Sequence, residues 1–577
     1  MISAELARAF ERIADLLEID GADRFRINSY RRASRTLDDT SEDLAELAAQ
    51  GSLTSLPGIG KGTAQRIQQY IDTGHIDVLD ELEARLPDGL PGLLQIPGLG
   101  PKKVALVYEK LNVTGIDALR EVIDSGELAA LPGFGAASVQ KIADGIAFLE
   151  SSSGRTPLGI ALPIAEDIAE RVGKLKGVKQ VEIAGSLRRG AETIGDIDIL
   201  CTASNGKRII DQFSAFDGVK RILTQGATKG SVTVEIDRRS ELQIDLRVVP
   251  RDSFGAALQY FTGSKEHNVR LREIAVRKKW RLNEYGLFDG DTCIAGRREE
   301  DIYKKLGLPC VPPELREDRG EFEPDARFDD LVTLKDIRGD LHMHTTASDG
   351  RCTIEEMALA AKARGYQYIA ICDHSKSATI ANGLSIARME KHIAAVKAAN
   401  DKIAGITILA GTEVDILPDG TLDYPEDLLA KCDWVVASIH LAMGKSASRK
   451  MSPTQRTLAA MENRYVSMIG HPTGRLINTR EPMDLDMAAV VEAAARTKTM
   501  LEISAGWQRL DLKDTHIRQA IAAGVTVGIN TDGHHTGSLD QTRFGVTTAR
   551  RGGATKKDVI NCCTLATLRK RIGRKQN

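Results

Sequence analysis

Residues 185–190 read Gly-Ser-Leu-Arg-Arg-Gly, and residues 195–198 read Gly-Asp-Ile-Asp. A Gly-Ser turn with two arginines is typical of a loop that cradles phosphate. Side chains alternate between the two faces of a strand, so Asp196 and Asp198 are expected to point the same way. They could then offer two carboxylates to a shared pair of divalent ions, the usual device for phosphoryl transfer. The alternative is a strand that ends in solvated aspartates.

A third carboxylate lies on a later alternating strand, residues 242–247. Ile244 and Leu246 are expected on one face of that strand and Asp245 on the other. An Asp-x-Asp pair plus a distant strand aspartate is the three-carboxylate set of two-metal nucleotidyltransferases. We therefore predict that two ions hold a triphosphate and that Asp245 completes the site that activates an attacking 3′-hydroxyl.

Upstream, one motif occurs three times: an apolar residue, Pro, Gly, an apolar residue and Gly, at residues 56–60, 96–100 and 131–135. Each copy resembles a helix-hairpin-helix unit, whose glycines and following helix N-terminus let the backbone bind a phosphate. Such contacts position DNA without reading its sequence. Ordinary helix-capping turns are the alternative. The predicted DNA-contacting residues are Gly58, Gly60, Lys61, Gly98, Gly100, Lys102, Gly133 and Gly135.

The length of 577 residues predicts several domains. Because the formal net charge is -2, any nucleic-acid surface must be local. Eight cysteines without paired spacing, apart from the adjacent Cys562 and Cys563, indicate a reducing cytoplasm rather than a disulfide framework. The acidic residues of the N-terminal amphipathic pattern argue against a signal peptide, and no apolar run reaches membrane-spanning length. One local basic surface is predicted from Arg24, Arg26, Arg31, Arg32 and Arg35.

The last third has a different pattern. After an acidic, proline-containing stretch that indicates an interdomain linker, short apolar strands alternate with helices, which predicts a parallel barrel or barrel-like α/β fold. The candidate strands are residues 338–343, 367–372, 406–412, 434–439, 466–470, 499–504 and 525–530. Parallel barrels build their active sites at the C-terminal strand ends. The polar residues expected there are His342, His344, Asp349, His374, Glu413, His440, His471, Asp532 and His534.

Six imidazoles and three carboxylates at one rim suit two or three Zn²⁺, Mn²⁺ or Fe ions. Asp373 is interpreted as a residue that supports the ligands, whereas His392 and His535 are interpreted as surface residues. Lys445 and Arg475 lie near predicted strand ends and could neutralise phosphate.

The motifs of the first 315 residues closely resemble family X DNA polymerases such as DNA polymerase beta. The resemblance rests on residues 185–198, on Tyr-Phe-Thr-Gly-Ser at 260–264 with Asn268, on residues 283–285 and on the hairpins. It implies that Asp196, Asp198 and Asp245 are the catalytic metal ligands for Mg²⁺ or Mn²⁺. It also implies a set of residues that contact the incoming deoxynucleoside triphosphate, namely Gly185, Ser186, Arg189, Gly195, Tyr260, Phe261, Gly263 and Asn268.

The chain departs from the beta-type pattern at the first hairpin. In that family the helix after the hairpin presents lysines, one of which forms a Schiff base with an abasic sugar. Here Gly62 and Arg66 occupy those places, and Lys61 is out of register. Since an arginine stays protonated, it cannot be the nucleophile. We therefore expect DNA binding without 5′-deoxyribose-phosphate lyase activity.

Residues 336–570 resemble the polymerase-and-histidinol-phosphatase (PHP) domain, whose first motif is His342-Met343-His344 here. The resemblance implies a trinuclear site for metal-dependent phosphoester hydrolysis. His342, His344, Glu413 and Asp532 would hold one ion. Asp349, His374 and His534 would hold the second. Glu413, His440 and His471 would hold the third, with Glu413 bridging.

Together the two resemblances imply a multidomain bacterial family X polymerase with a C-terminal PHP domain. The expected parts are a lyase-like helical DNA-binding domain (1–85), a helix-hairpin-helix subdomain (86–150), an α+β nucleotidyltransferase palm (155–255), a nucleotide-selecting subdomain (256–313), a linker (314–335) and a seven-stranded PHP barrel (336–577).

The implied activities are filling of short gaps in base excision repair and a Mn²⁺-dependent 3′→5′ exonuclease. Cleavage at abasic sites and cleaning of 3′ ends are allowed as further activities. Gapped or recessed DNA and deoxynucleoside triphosphates are the expected partners of a cytoplasmic, nucleoid-associated monomer. Two alternatives are a small-molecule phosphatase with a vestigial polymerase region and a non-catalytic DNA-binding scaffold.

Overall fold

The computed structural model describes residues 2–39, 44–56, 58–87, 89–96, 98–152, 155–237, 240–324, 326–441, 443 and 451–576. The chain divides into two compact units, one of residues 1–153 with 478–480 and the other of 154–477 with 481–577. Among the described residues, no helix is both long and apolar enough to cross a bilayer.

The first unit is built from helices around one apolar core. Its helices are α1 Ile2–Ile19, α2 Arg24–Asp39, α3 Leu44–Ala49, α4 Lys61–Thr73, α5 Asp77–Arg85, α6 Pro101–Leu111, α7 Ile116–Asp124 and α8 Ala136–Ser152, with short 3₁₀ helices at Leu53–Ser55, Leu90–Gln95 and Leu128–Ala130. Leu6, Phe10, Ile13 and Leu17 recur at helical spacing on α1 and are all fully buried.

The second unit begins with an α+β palm. Its elements are β1 Thr156–Pro157, α9 Leu158–Gly173, β2 Val178–Ile183, α10 Gly185–Arg188, β3 Thr193–Ile194, β4 Asp196–Ala203, α11 Gly206–Ser214, β5 Val219–Gln225, β6 Lys229–Asp237 and β7 Ser240–Val248. The sheet order is β2-β4-β7-β6-β5, with β4 and β7 parallel. Ile197 and Ile199 of β4 are buried in the core, so alternation places Asp196 and Asp198 on the opposite face.

A smaller α+β subdomain follows the palm. It contains α12 Phe254–Thr262, α13 Lys265–Arg277, β8 Trp280–Asn283, β9 Gly286–Asp289, β10 Thr292–Ala295 and α14 Glu299–Leu306. The stretch that composition indicated as a linker is well packed at several positions, including the buried Arg316 and Glu321. Arg316 pairs with Glu299 at 2.6 Å, and Glu321 lies 2.8 Å from His267. Composition cannot reveal that these charges have buried partners.

The last part is a seven-stranded parallel barrel, as predicted. Its strands are β11 Gly339–Met343, β12 Tyr368–Ile371, β13 Thr407–Asp415, β14 Trp434–Ser438, β15 Met468–Ile469, β16 Met500–Ser504 and β17 Val527–Asn530, which pair in chain order. A parallel bridge between Met343 and Gly533 nearly closes the barrel. Its helices are α15 Ile354–Ala363, α16 Ile386–Lys402, α17 Glu426–Leu429, α18 Pro453–Glu462, α19 Met487–Thr497, α20 Asp514–Ala522, α21 Thr542–Arg551 and α22 Leu565–Gln576.

The barrel and the palm share an apolar core. Leu510 and Phe544 of the barrel are buried in the same cluster as the palm residues of α9 and β4, and Trp507 packs against it. Gly159 of α9 contacts the Trp507 ring so closely that a Cβ there would clash with it. The two parts therefore form one compact body, although no apolar pattern in the sequence indicates which loops meet.

Candidate active sites

The three predicted catalytic aspartates lie on adjacent parallel strands of the palm. Asp198 is the register partner of Asp245, and Asp196 is the partner of Gln243. Asp245 is buried, accepts a hydrogen bond from Gln243 Nε2 at 2.9 Å and pairs with Lys229 Nζ at 2.8 Å. Sequence reasoning missed Lys229, whose position at the start of β6 gave no signal beyond its charge.

The aspartates repel one another. Burial, followed by the charges of Asp196 and Asp245, raises the pKa of Asp198 to about 7. Burial and the charge of Asp245 also raise the pKa of Asp196. Burial alone would raise the pKa of Asp245, but hydrogen bonds, above all from Lys229, outweigh it and hold that pKa below its usual value. Carboxylates held close enough to raise one another's pKa are a donor set that fits hard divalent cations.

The predicted phosphate turn folds as the four-residue helix α10 against these carboxylates. Gly185 has φ +67°, and a Cβ there would lie 2.7 Å from Asp198 Oδ2, so only glycine fits. The two arginines of the turn have different partners. Arg188 forms a bidentate pair with the buried Glu299, at 2.9 and 2.6 Å. Arg189 donates to the Thr262 carbonyl at 2.6 Å and to Glu317 at 3.1 Å.

The residues predicted to contact sugar and base also meet in the structure, at the junction of α12 and α13. The Tyr260 and Phe261 rings lie 5.1 Å apart, edge to face. Asn268 is buried, and its amide is hydrogen-bonded to the Tyr260 carbonyl at 2.7 Å and to Gln259 at 2.6 Å. Gly263, with φ +68°, lies beside Arg189. Ser186 is half-buried and Gly195 exposed beside Arg155.

The three hairpins have the same turn. In each, the amide of the second apolar residue donates to the carbonyl of the first, at 3.0 or 3.1 Å, in Leu56–Ile59, Ile96–Leu99 and Leu131–Phe134. The first glycine of each motif has positive φ: Gly58 at +79°, Gly98 at +97° and Gly133 at +85°. The second glycine precedes the helix in each case, at Gly60, Gly100 and Gly135. Pro57 and Pro97 lie outside the described residues.

The charged residues near the hairpins are of two kinds: some are exposed to solvent, and others form ion pairs within the fold. Lys61 and Lys102 are exposed at the starts of α4 and α6, as phosphate contacts require. Of the arginines of α2, Arg31 is turned inward, where it pairs with Glu18 at 2.6 Å and Asp15 at 3.3 Å. The predicted basic surface therefore consists of the exposed Arg24, Arg26, Arg32 and Arg35.

The nine predicted barrel ligands converge, with the buried Glu413 at their centre. Glu413 lies inside β13 rather than at its end, because that strand continues to Asp415. Five imidazoles face its two oxygens: His374 at 2.9 Å, His342 at 3.5 Å and His344 at 3.7 Å from Oε2, with His471 at 2.9 Å and His440 at 3.4 Å from Oε1.

Two further carboxylates close the cluster. Asp532 Oδ1 lies 3.1 Å from His344 Nε2 and 3.9 Å from His342 Nε2. Asp349 Oδ2 lies 3.4 Å from His534 and 3.5 Å from His374. Ligand atoms within 4.8 Å of one another form three groups among the described residues: His344, Asp349, His374 and His534; His342, His344 and Asp532; and His374, Glu413 and His440.

Several of these atoms are buried and have no hydrogen-bond partner among the described residues. They include His342 Nε2, His344 Nδ1 and Glu413 Oε2. Burial and the neighbouring His534 and His374 lower the pKa of His344 to about 4, which keeps its imidazole neutral. Buried imidazoles and carboxylates with uncompensated lone pairs are a donor set that fits Zn²⁺, Mn²⁺ or Fe ions.

Supporting carboxylates hold the ligands from behind, and sequence reasoning missed two of them. Glu502 accepts from His342 Nδ1 at 2.8 Å and from the His471 backbone N–H at 2.6 Å. Asp415 lies 2.7 Å from His440 Nδ1. Such partners orient a metal-binding imidazole and fix its tautomer. The available signal was a charged residue within an otherwise apolar strand, Leu501-Glu502-Ile503.

Asp373 supports the loop that carries Asp349. It accepts hydrogen bonds from the Thr345 hydroxyl at 2.6 Å and the Ser348 hydroxyl at 2.5 Å, and it pairs with His392 Nε2 at 3.0 Å. The prediction of His392 as a surface residue is therefore wrong. Its ring is buried because α16 packs it onto Asp373, whereas His535 is exposed as expected.

Of the two cations that the sequence suggested could neutralise phosphate, the structure describes Arg475. Arg475 is buried, and it donates to the Arg509 carbonyl at 2.9 Å and to Glu192 of the palm at 2.8 Å. It therefore acts as a link between barrel and palm. Lys445 lies outside the described residues. Arg509, 3.6 Å from Asp532, is a described cation that lies beside the ligand cluster.

Five family models match the chain in order. They are a helix-hairpin-helix domain (residues 1–76), a SAM-like helix-hairpin-helix tandem (91–147), the DNA polymerase beta palm (160–250), the DNA polymerase beta thumb (257–317) and the PHP domain (340–504). With the geometry above, they define the class as a polymerase beta-type core joined to a PHP domain.

Comparison with individual proteins narrows this class. The chain is 38% identical over 570 residues to the DNA polymerase/3'-5' exonuclease PolX of Bacillus subtilis (strain 168), with 98% of each chain covered. The chain therefore belongs to the PolX family. It is also 26% identical to DNA polymerase lambda of Arabidopsis thaliana, over 55% of this chain and 62% of that protein. A probable phosphatase of Syntrophotalea carbinolica is 32% identical over 29% of this chain and 64% of its own length.

Proposed function

We propose that the protein is a DNA-directed DNA polymerase that fills short gaps in base excision repair and that also hydrolyses DNA 3′ ends in its barrel. The observation that carries this proposal is the presence of two separate ligand sets in one compact unit, the aspartates of β4 and β7 and the cluster around Glu413. Membership in a family whose Bacillus subtilis relative is a polymerase and 3'-5' exonuclease supports it.

In the polymerase reaction, the turn at 185–190 and Arg189 would bind the triphosphate, and Tyr260 and Phe261 would position its sugar and base. Asp196, Asp198 and Asp245 would hold Mg²⁺ or Mn²⁺, which supplies charge neutralisation and activates the attacking 3′-hydroxyl. Lys229 forms an ion pair with Asp245 at 2.8 Å. Its positive charge offsets that of Asp245 and so reduces the repulsion among the three carboxylates. The hairpins and the exposed lysines beside them would hold the duplex by its phosphates.

In the barrel, the nine ligands would hold two or three Zn²⁺, Mn²⁺ or Fe ions, which supply a nucleophile at neutral pH and polarise the phosphodiester. Glu502 and Asp415 keep His342 and His440 in place, while Arg509 adds positive charge beside Asp532. Abasic-site cleavage would use the same groups. Lyase activity is not proposed, since Arg66, which donates to the Gly62 carbonyl at 2.6 Å, stands where the family has a lysine, and an arginine does not serve as the nucleophile. We further propose a monomer in the bacterial cytoplasm.

A crossed pair of variants tests the two activities on gapped DNA, with Mg²⁺ compared with Mn²⁺. Asp245→Ala should abolish extension while degradation of the 3′ end continues. His344→Ala should have the reverse effect. Asp252→Ala, which removes an exposed carboxylate from the short helical segment after β7, is the control. Full synthesis by Asp245→Ala would refute the polymerase assignment.

A second candidate function, small-molecule phosphatase activity, is favoured only by the partial match to the probable phosphatase. The rates at which the protein hydrolyses histidinol phosphate and a recessed DNA 3′ end distinguish the phosphatase from the DNA-processing enzyme. Faster hydrolysis of histidinol phosphate, together with no extension of gapped DNA by the wild-type protein, would favour this alternative.

A further inference from the structure

A residue of the barrel reaches the phosphate turn of the palm. Arg551, the last residue of α21, is 9% exposed. Its Nη1 donates to the Arg189 carbonyl at 2.7 Å and to Glu317 Oε1 at 2.9 Å. Its Nη2 donates to Asp514 Oδ2 at 2.9 Å. One guanidinium therefore connects the backbone of the turn, the last residue of the thumb match and α20 of the barrel.

Glu317 is shared between two arginines. The same oxygen, Oε1, accepts from Arg551 and from Arg189 Nε at 3.1 Å. The side chains of Glu317 and Arg189 are 16% and 15% exposed, so solvent screens these charges only partly. Arg189 also donates from Nη1 to the Thr262 carbonyl. None of these bonds uses Arg189 Nη2, which leaves that nitrogen for a phosphate oxygen.

The same helix, α21, also packs directly against the turn. Gly190 contacts the Thr547 methyl group of α21 so closely that a Cβ at Gly190 would clash with it. Gly190 and the backbone carbonyl of Arg189 thus both contact side chains one helical turn apart on α21, namely Thr547 and Arg551.

We propose that Arg551 is a positioning residue of the polymerase site: by sharing Glu317 and holding the Arg189 carbonyl, it sets the strength with which Arg189 attracts the incoming triphosphate. This inference rests on the proposed polymerase function. Without Arg551, Glu317 pairs with Arg189 alone and neutralises more of its charge, while the turn loses a donor. Both changes weaken nucleotide binding more than they slow the chemical step.

The test is steady-state gap filling by the full-length protein, with KM for the deoxynucleoside triphosphate and kcat measured separately. Arg551→Met should raise that KM by about tenfold, the value of one hydrogen bond to a charged group, with kcat changed less than about threefold. Arg551→Lys should recover most of the affinity because it keeps the charge beside Glu317. Adding Glu317→Gln to Arg551→Met should lower KM again, since it removes the competing carboxylate.

Arg543→Met is the matched control. Arg543 lies on the same helix and pairs with a palm carboxylate, Glu166, at 3.1 Å, but it does not contact the turn. Its removal should leave KM unchanged. An unchanged KM in Arg551→Met overturns the proposal. The proposal is also overturned if Arg551→Met lowers kcat and kcat/KM equally and Arg551→Lys does not restore them. That result would show that Arg551 has a purely structural role.

If Arg551→Met does not fold, the KM of the single variant Glu317→Gln tests the proposal by itself. A lower KM supports the proposal, and an unchanged or higher KM overturns it. A wild-type protein that extends no primer would instead refute the proposed polymerase function, so the two failures are distinguishable.

Discussion

The two candidate metal-binding sets of this chain differ in how their residues are supported. The polymerase set has three aspartates on strand faces, with Asp196 exposed, Asp198 half-buried and one lysine partner. The barrel set has nine candidate ligands, one of which is the buried Glu413 at the centre, and Glu502 and Asp415 lie behind its imidazoles. Both hold oxygen or nitrogen donors close together. The residues that support the first set, Lys229 and Gln243, both contact Asp245, whereas those of the second set orient separate imidazoles.

This difference predicts different metal occupancy. Mg²⁺ is usually held by one or two carboxylates together with substrate phosphates, so the palm site is suited to ions that arrive with the nucleotide. Buried imidazoles with fixed tautomers bind transition metals without help from a substrate. We expect the barrel to retain its ions through dialysis and the palm to lose them. The following predictions test this contrast, from the largest expected effect to the smallest.

Glu413→Gln should lower hydrolysis by the barrel on the order of 10³-fold and leave primer extension unchanged. Glu413 faces five of the six imidazoles, so the change alters the carboxylate that most of the cluster shares. Metal content of the purified variant and both activities are measured together. Wild-type hydrolysis by this variant would contradict a central role for Glu413.

Gly185→Ala should reduce primer extension by roughly 10²-fold without affecting the barrel. An alanine there combines strain at φ +67° with a contact at 2.7 Å to Asp198 Oδ2, and so displaces a metal ligand. Gly173→Ala is the control, because a Cβ at Gly173 would make only an ordinary contact of 3.9 Å. Equal rates for the two variants would show that the turn does not need to approach Asp198.

Glu502→Gln should lower metal affinity of the barrel by about 10- to 100-fold, the usual loss when a supporting partner is changed. Competition with a chelating dye measures this affinity directly. Glu492→Gln, on the exposed face of α19, should have no effect. If both variants retain the ions equally, the residues behind the imidazoles do not explain the contrast between the sites.

Asp198→Asn should stabilise the metal-free protein above pH 7. The pKa of Asp198 is raised to about 7 in the fold, so the folded state binds more protons than the unfolded state between pH 4 and 7. The stability that protonation provides is present below the unfolded pKa and is lost as the pH rises through 7. The difference at pH 8 should be at most about 4 kcal/mol and should shrink by pH 5, as measured by thermal unfolding. A pH-independent difference would contradict the repulsion among the three aspartates.

The sequence by itself determined most of the fold class and which residue types meet. Alternation along β4 and β7 required Asp196, Asp198 and Asp245 to leave the apolar core, and this alternation depends only on local backbone geometry. Parallel strands in chain order required the polar residues that follow them to gather at one rim, although Glu413 proved to lie inside its strand. The repeated Pro-Gly motif likewise required one turn conformation at three places.

Only the tertiary structure decided how charges are paired across the chain. Nothing in the local sequence distinguishes Arg188, Arg475 and Arg551 from other arginines, yet each pairs with a glutamate far away in the chain. Their partners are Glu299, Glu192 and Glu317, respectively. His392 was predicted at the surface and is buried on Asp373 for the same reason. An ion pair is specified by the distance between two side chains, and that distance depends on how loops far apart in sequence pack. Local pattern determines which face a residue occupies, whereas the packed fold determines what that face contacts.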